Sequence, residues 1–98
     1  MSGADEVIHQ SMRLRIMAAL NASKKVAIEF TRLKALVGAT DGNLGAHLET
    51  LEKAGYIVIE KRFEDRKPQT RIRMSLAGRR AFAEHVAYLR EILDGTRI

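Results

Sequence analysis

The 98-residue sequence has no cysteine. Disulfides, thiolate metal sites and thiol-based redox sensing are therefore excluded. No apolar run approaches the ~20 residues that a membrane-spanning helix needs, so no membrane partner is expected. The stretch Met1 to Glu6 is small, polar and acidic. It lacks the basic-then-apolar layout of a secretory leader, and the chain is expected to be cytoplasmic. Neither glycine-rich phosphate loop, of the P-loop or of the dinucleotide kind, is present. No serine has a histidine and an acid spaced as a nucleophilic constellation. His9 and His85 stand apart, without the short spacing that zinc-binding histidines share. No catalytic residue, no cofactor and no metal site are therefore expected, and the chain is not read as an enzyme.

What remains is a basic, ordinary globular composition. Apolar residues make up 46% and the net charge is +5. A chain of this length buries roughly 60–70% of its unfolded surface, enough for one thin core. Surplus positive charge attracts polyanions, nucleic acid foremost, although it also serves solubility. Where the charge sits decides between these.

The stretch from Phe30 to Tyr56 organises the rest. Phe30, Leu33, Leu36 and Val37 recur with helical spacing. Gly38 suits the left-handed residue that ends a helix. Thr40 suits the N-cap of the next, because its hydroxyl accepts an orphan amide. Leu44, Leu48 and Leu51 then form one apolar stripe. Two amphipathic helices across so short a turn make a helix-turn-helix. Upstream, Ile8 to Leu20 reads as a helix with Leu14, Met17 and Leu20 buried, helped by Ile16. Met1 to Val7 is expected to be frayed or only loosely helical, and Val26 to Ile28 to be a minimal strand. Downstream, Tyr56 to Phe63 switches to period two, with Ile57, Ile59 and Phe63 on one face. Glu64 to Gln69, with the single proline, reads as a polar loop. Thr70 to Leu76 alternates again, with Ile72, Met74 and Leu76 together. The last helix, Ala77 to Leu93, is apolar on more than one side, and Asp94 to Ile98 is expected to fray. Phe82, Val86, Tyr88, Leu89, Ile92 and Leu93 form a face broader than a small core can cover. A second copy of the chain is the natural partner for it.

The order helix, short strand, helix-turn-helix, two-stranded hairpin and terminal helix is that of the winged-helix fold. The run His9 to Ile16 resembles the first-helix motif of MarR- and ArsR-like bacterial and archaeal regulators. Thr40 to Tyr56 is similar to their recognition helix and the strand after it. Arg66 to Thr70 resembles the wing tip of their small single-domain members. The resemblance implies an α+β, mostly helical winged helix-turn-helix with a two-stranded β wing and a C-terminal helix. It implies one domain over residues 1–98: first helix 8–22, helix-turn-helix 30–54, wing 56–76 and dimerisation helix 77–93. It further implies a homodimeric transcriptional regulator that binds a pseudo-palindromic site in double-stranded DNA. The recognition helix would enter the major groove, and the wing would reach phosphates or the adjacent minor groove. Where the group often carries Ser, Arg or Lys, this recognition helix has Gly45, Ala46, Glu49 and Thr50. The thiolate metal sensing of ArsR-like proteins has no cysteine to work with.

The candidate DNA-binding residues are Thr40, Asn43, Ala46, His47 and Thr50 on the recognition helix, and Lys61, Arg62, Arg66, Lys67, Arg71 and Arg73 on the wing. Asn reads adenine through paired hydrogen bonds and Thr meets a thymine methyl. Long cations on a protruding hairpin follow a phosphate backbone. Each has a plainer reading. Thr40 is a cap, Asn43 a first-turn residue, and His47 a packing residue at the edge of the leucine stripe. Charged hairpin edges also serve to block sheet-to-sheet pairing. Arg13 and Arg15, with nearby Lys24 and Lys25, would flank DNA, or Arg13 would bond a helix end or a carboxylate. Arg32 and Lys34 lie on the polar side of the preceding helix, where backbone contact is plausible. With Asp41, Glu49 and Glu52 on the recognition helix, the competing reading is a protein-interaction module with no specific DNA target. Nothing in the sequence identifies a small-molecule effector.

Overall fold

The computed structural model describes residues 3–23 and 25–95. Five helices and three strands follow in the order α1 (Glu6–His9), α2 (Ser11–Ala22), β1 (Ile28–Glu29), α3 (Phe30–Val37), α4 (Asp41–Lys53), β2 (Ile57–Glu64), β3 (Lys67–Met74) and α5 (Leu76–Leu93). The architecture is a winged helix: a helical body, a three-stranded antiparallel sheet of order β1-β3-β2, and a C-terminal helix.

The expected first helix is two. Gln10 is extended (φ −65°, ψ 132°), and its side chain accepts the amide of Arg13 at 2.8 Å, capping α2. Upstream of the break, residues 6–9 form a short helix, the helical one of the two states expected for Glu6 and Val7. Asp5 caps α1 by accepting the amides of Val7 and Ile8. Ile8, Ile16, Met17 and Leu20 are buried, whereas Leu14 only packs against the core. Met1, Ser2, Lys24 and the end of the expected frayed tail, residues 96–98, lie outside the described residues.

In the helix-turn-helix, Gly38 ends α3 in the left-handed region (φ 67°, ψ 38°). That conformation carries no Cβ penalty for glycine. Leu33 and Val37 are buried, but Leu36 is 51% exposed, off the face expected for it. Leu44, Leu48 and Leu51 seat α4 on the core. The minimal strand falls at Ile28–Glu29, sharing only Ile28 with the expected Val26 to Ile28, and Val26 is exposed. Its partners on β3 are Ile72 and Arg71.

The two strands of the wing run closer to its tip than the sequence suggests. The polar loop is only a two-residue turn, Asp65 and Arg66, both at positive φ (50° and 66°). Strand pairing runs from Ile57↔Met74 to Glu64↔Lys67. Pro68 is tolerated because β1 covers only the other end of β3. Ile57, Ile72 and Met74 are buried, and Ile59 packs against the core. Leu76 does not extend that face; it starts α5 and is exposed. Ser75 caps α5 by accepting the amide of Gly78 at 2.9 Å, and its own amide donates to the Tyr56 carbonyl at 3.0 Å. A Cβ at Gly78 would lie 2.0 Å from that carbonyl oxygen, so only glycine lets α5 sit so close to the start of the wing.

Candidate nucleic-acid interface

The leucine stripe turns the opposite side of α4 outward. Asn43, Ala46 and Thr50 are exposed on it, and Thr40 is exposed at its N-cap. The Thr40 hydroxyl accepts the amide of Asn43 at 3.2 Å, so its capping role is met. The Thr50 hydroxyl donates back to the carbonyl of Ala46 at 3.3 Å, within its own helix. His47 is half-buried, and Arg13 Nη1 donates to its Nδ1 at 3.2 Å. Arg13 also donates through Nε to the Val7 carbonyl at 2.5 Å. The structural bond to a helix end expected of it is thus present. This arginine ties the end of α1 to the recognition helix, a link that sequence spacing does not reveal.

The acidity of α4 is partly offset locally. Lys34 on α3 lies 2.8 Å from Asp41, and Lys53 lies 3.0 Å from Glu49 one turn away. Exposed pairs of this kind are worth little in stability. Their consequence here is to lower the negative charge beside the exposed face.

Cross-strand register divides the wing cations between two faces. Lys61 pairs with Thr70 on the face of Ile57, Ile59 and Phe63. Arg62, Lys67, Arg71 and Arg73 alternate onto the other. Lys61, Arg62, Arg66 and Lys67 are exposed in the distal half, where every residue from 60 to 68 is exposed. Arg71 and Arg73 are half-buried nearer the body. Arg73 Nε donates to Glu60 at 2.7 Å. Arg71 borders an open groove of about 1140 Å³, together with Arg15, Lys25, Arg32, Glu29 and Glu64. The six cations expected on the wing thus divide into four at the tip and two at the base.

The broad face expected on α5 is narrower in the folded chain. Phe82 is 8% exposed and belongs to the protomer's own core, because the N-terminal half of α5 is drawn onto the start of β2. Val86 packs against the same core. Tyr88 stacks on His85, with ring centroids 5.8 Å apart. Leu89 is half-buried, and Ile92 and Leu93 are 41% and 83% exposed.

His85 itself is fully buried. Its Nδ1 accepts the amide of Asp5 at 3.1 Å, and His9 meets it edge-on at 5.4 Å between centroids. Burial lowers its pKa below 6.5, His9 adds to the lowering, and Asp5 opposes it. The Tyr56 hydroxyl donates to Asp5 Oδ2 at 2.6 Å. That hydrogen bond, followed by burial and the Asp5 charge, pushes the phenol up to about 12. This cluster joins α1, β2 and α5. Its members are dispersed in sequence, and no motif announces it. Among the described residues, no group of three or more His, Cys, Asp or Glu side chains is placed to hold a metal ion, and no helix is long and apolar enough to cross a membrane.

Comparison with known proteins agrees with this geometry. Residues 12–93 match the family described as winged helix DNA-binding domain. An uncharacterized protein of Methanocaldococcus jannaschii is 33% identical over 89 residues, 91% of either chain. The transcriptional regulator homologue protein from Pyrococcus horikoshii OT3 superposes with a TM-score of 0.85 at 24% identity, over 96% of this chain and 91% of that one. A MarR-family transcriptional regulator from Silicibacter pomeroyi superposes with a TM-score of 0.69 at 19% identity, over 92% of this chain and 58% of that longer one. At these identities the superpositions speak for the fold.

Proposed function

Because the chain belongs to the winged helix DNA-binding domain family, we propose that it is a transcriptional regulator of MarR type, binding duplex DNA as a homodimer. The outer side of α4, with Asn43, Ala46 and Thr50, enters the major groove, while Thr40 at its N-terminus faces a phosphate. His47 lines the edge of this surface, steadied by Arg13. Lys61, Arg62, Arg66 and Lys67 anchor the wing on the backbone, and Arg71 and Arg73 support its base. Two protomers pair through the C-terminal ends of α5, around Tyr88, Leu89, Ile92 and Leu93. The two recognition helices then address successive major grooves about 34 Å apart on a pseudo-palindromic site.

The observation that carries this reading is the detached cationic hairpin beside the helix-turn-helix. One detail sharpens it. Two-residue hairpin turns favour Asn-Gly, because both residues need positive φ. This chain puts Arg66 in the strained place (φ 66°) instead of glycine. Strain kept at an exposed tip points to a use for the side chain.

The test is titration against random and selected duplexes over a range of salt. If a dimer neutralises about eight phosphates, log affinity falls against log salt with a slope of about −7. Replacing Arg66 and Lys67 with alanine flattens that slope. The acidic residues Asp41, Glu49 and Glu52 favour a second reading, a protein-interaction module. Equal affinity for random and selected duplex would favour that module, and no binding at low salt would remove DNA altogether.

A further inference from the structure

The sequence has three phenylalanines. Phe82 lies in the core and Phe30 packs against it. Phe63 does neither: it is 76% exposed, on the distal wing two residues before the tight turn. Across the ladder it faces Pro68, also exposed, so the two make one apolar pair at the tip. The same face carries Ile57 and Ile59 nearer the body, where the core covers them. Past the polar pair Lys61 and Thr70, this face turns apolar again at Phe63 and Pro68, beyond the point at which the protein can bury it. Around this pair stand Lys61, Arg62, Arg66 and Lys67, all exposed.

A phenyl ring held in water on a cationic support is poorly placed for solubility and well placed for a polyanion with an apolar interior. Duplex DNA is such a partner: phosphates outside, stacked bases within. Proteins that bend DNA from the minor groove insert side chains of this kind, Phe and Pro among them, between base steps. A protruding two-stranded tip is narrow enough to approach that groove, and its cations meet the phosphates on both sides. Resting on the DNA-binding reading above, we propose that Phe63 and Pro68 form an apolar wedge that enters the minor groove, partly unstacks one base step and bends the duplex. The wing then reads deformability. It favours sites with a flexible pyrimidine–purine step, such as TA or CA, where it lands, without a hydrogen bond to any base.

The chain has no tryptophan, so Phe63→Trp introduces a single indole at the wedge. The exposed position leaves the fold unburdened. Duplex labelled at both ends reports binding by anisotropy and bending by energy transfer, while the indole reports stacking. The expected result is indole quenching in step with binding, stronger for duplexes with a TA step under the wing than for a stiff A-tract. Phe63→Ala should bind about tenfold more weakly, in line with the loss of one base–aromatic stack. It should bend the duplex less at an unchanged salt slope, because the cations remain. Phe63→Leu should retain part of the bend. Binding with unchanged indole emission, or full bending by Phe63→Ala, would overturn the wedge and leave the DNA-binding reading standing. A rise in anisotropy absent even for the unaltered protein at low salt would overturn both. A change of oligomeric state in Phe63→Ala would assign the ring to a second copy instead.

Discussion

His85 combines three properties that rarely meet in one side chain: full burial, a titratable ring and a backbone donor aimed at Nδ1. Because the Asp5 amide donates to Nδ1, that nitrogen accepts and the neutral ring carries its proton on Nε2. Protonation would remove the acceptor and place a charge in the core beside His9. The lowered pKa fixes the sign of the linkage. Between the depressed folded value and the ordinary 6.5, the unfolded chain binds the extra proton. The stability this neutral histidine supports is therefore complete above pH 6.5 and lost as pH falls through the folded value. Thermal melts should show a midpoint that drops on acidification from neutrality, and His85→Phe should flatten that drop. An unchanged slope in the variant would assign the acid sensitivity to other groups. None of this is legible in the sequence, where His85 is one histidine among charged helix residues. Its environment comes from Asp5 and His9, which only the folded topology brings near. Gly78 is hidden for the same reason, since the carbonyl it accommodates belongs to Tyr56 on another element.

The elements were more legible than the residues that join them. The leucine spacing of α4, the cap at Thr40, the stop at Gly38 and the alternation of Ile72 and Met74 are local signals, and the folded chain uses each of them. The break at Gln10 was not legible, because glutamine is an unusual N-cap and the apolar pattern runs through it. The turn at Asp65 and Arg66 was obscured by the opposite fault: neither residue is the glycine that such a turn favours. That mismatch yields a prediction at this scale. Arg66→Gly should stabilise the protein by about 1 kcal/mol, by relieving a left-handed residue, while weakening DNA binding and reducing its salt dependence. Urea unfolding and duplex titration on the same sample check both halves. A variant less stable than the parent would show that the arginine is held by contacts rather than strained.

The whole molecule extends 54 × 25 × 24 Å, a body with a long projection, and it leaves Ile92 and Leu93 exposed where α5 ends. If that end pairs two protomers, replacing both residues with Asp should yield monomer in sedimentation at micromolar concentration. The folded protomer should survive, since Phe82 and Val86 keep their places against the core. Binding to a two-half-site duplex should weaken far more than binding to a single half-site, because two linked contacts become one. A dimer that persists would move the interface elsewhere. The link between Asp5 and His85 also bears on how the chain comes into being. The two residues are 80 positions apart, so in a growing polypeptide this contact stays open until the first half of α5 has been made, although Arg13 and Tyr56 can bond the N-terminal turn earlier. Contacts of such long range are slow to form. The helix-turn-helix can assemble from its neighbours as it emerges, but the clasp that joins beginning to end closes last, and a nascent chain stalled before α5 would remain open at that seam.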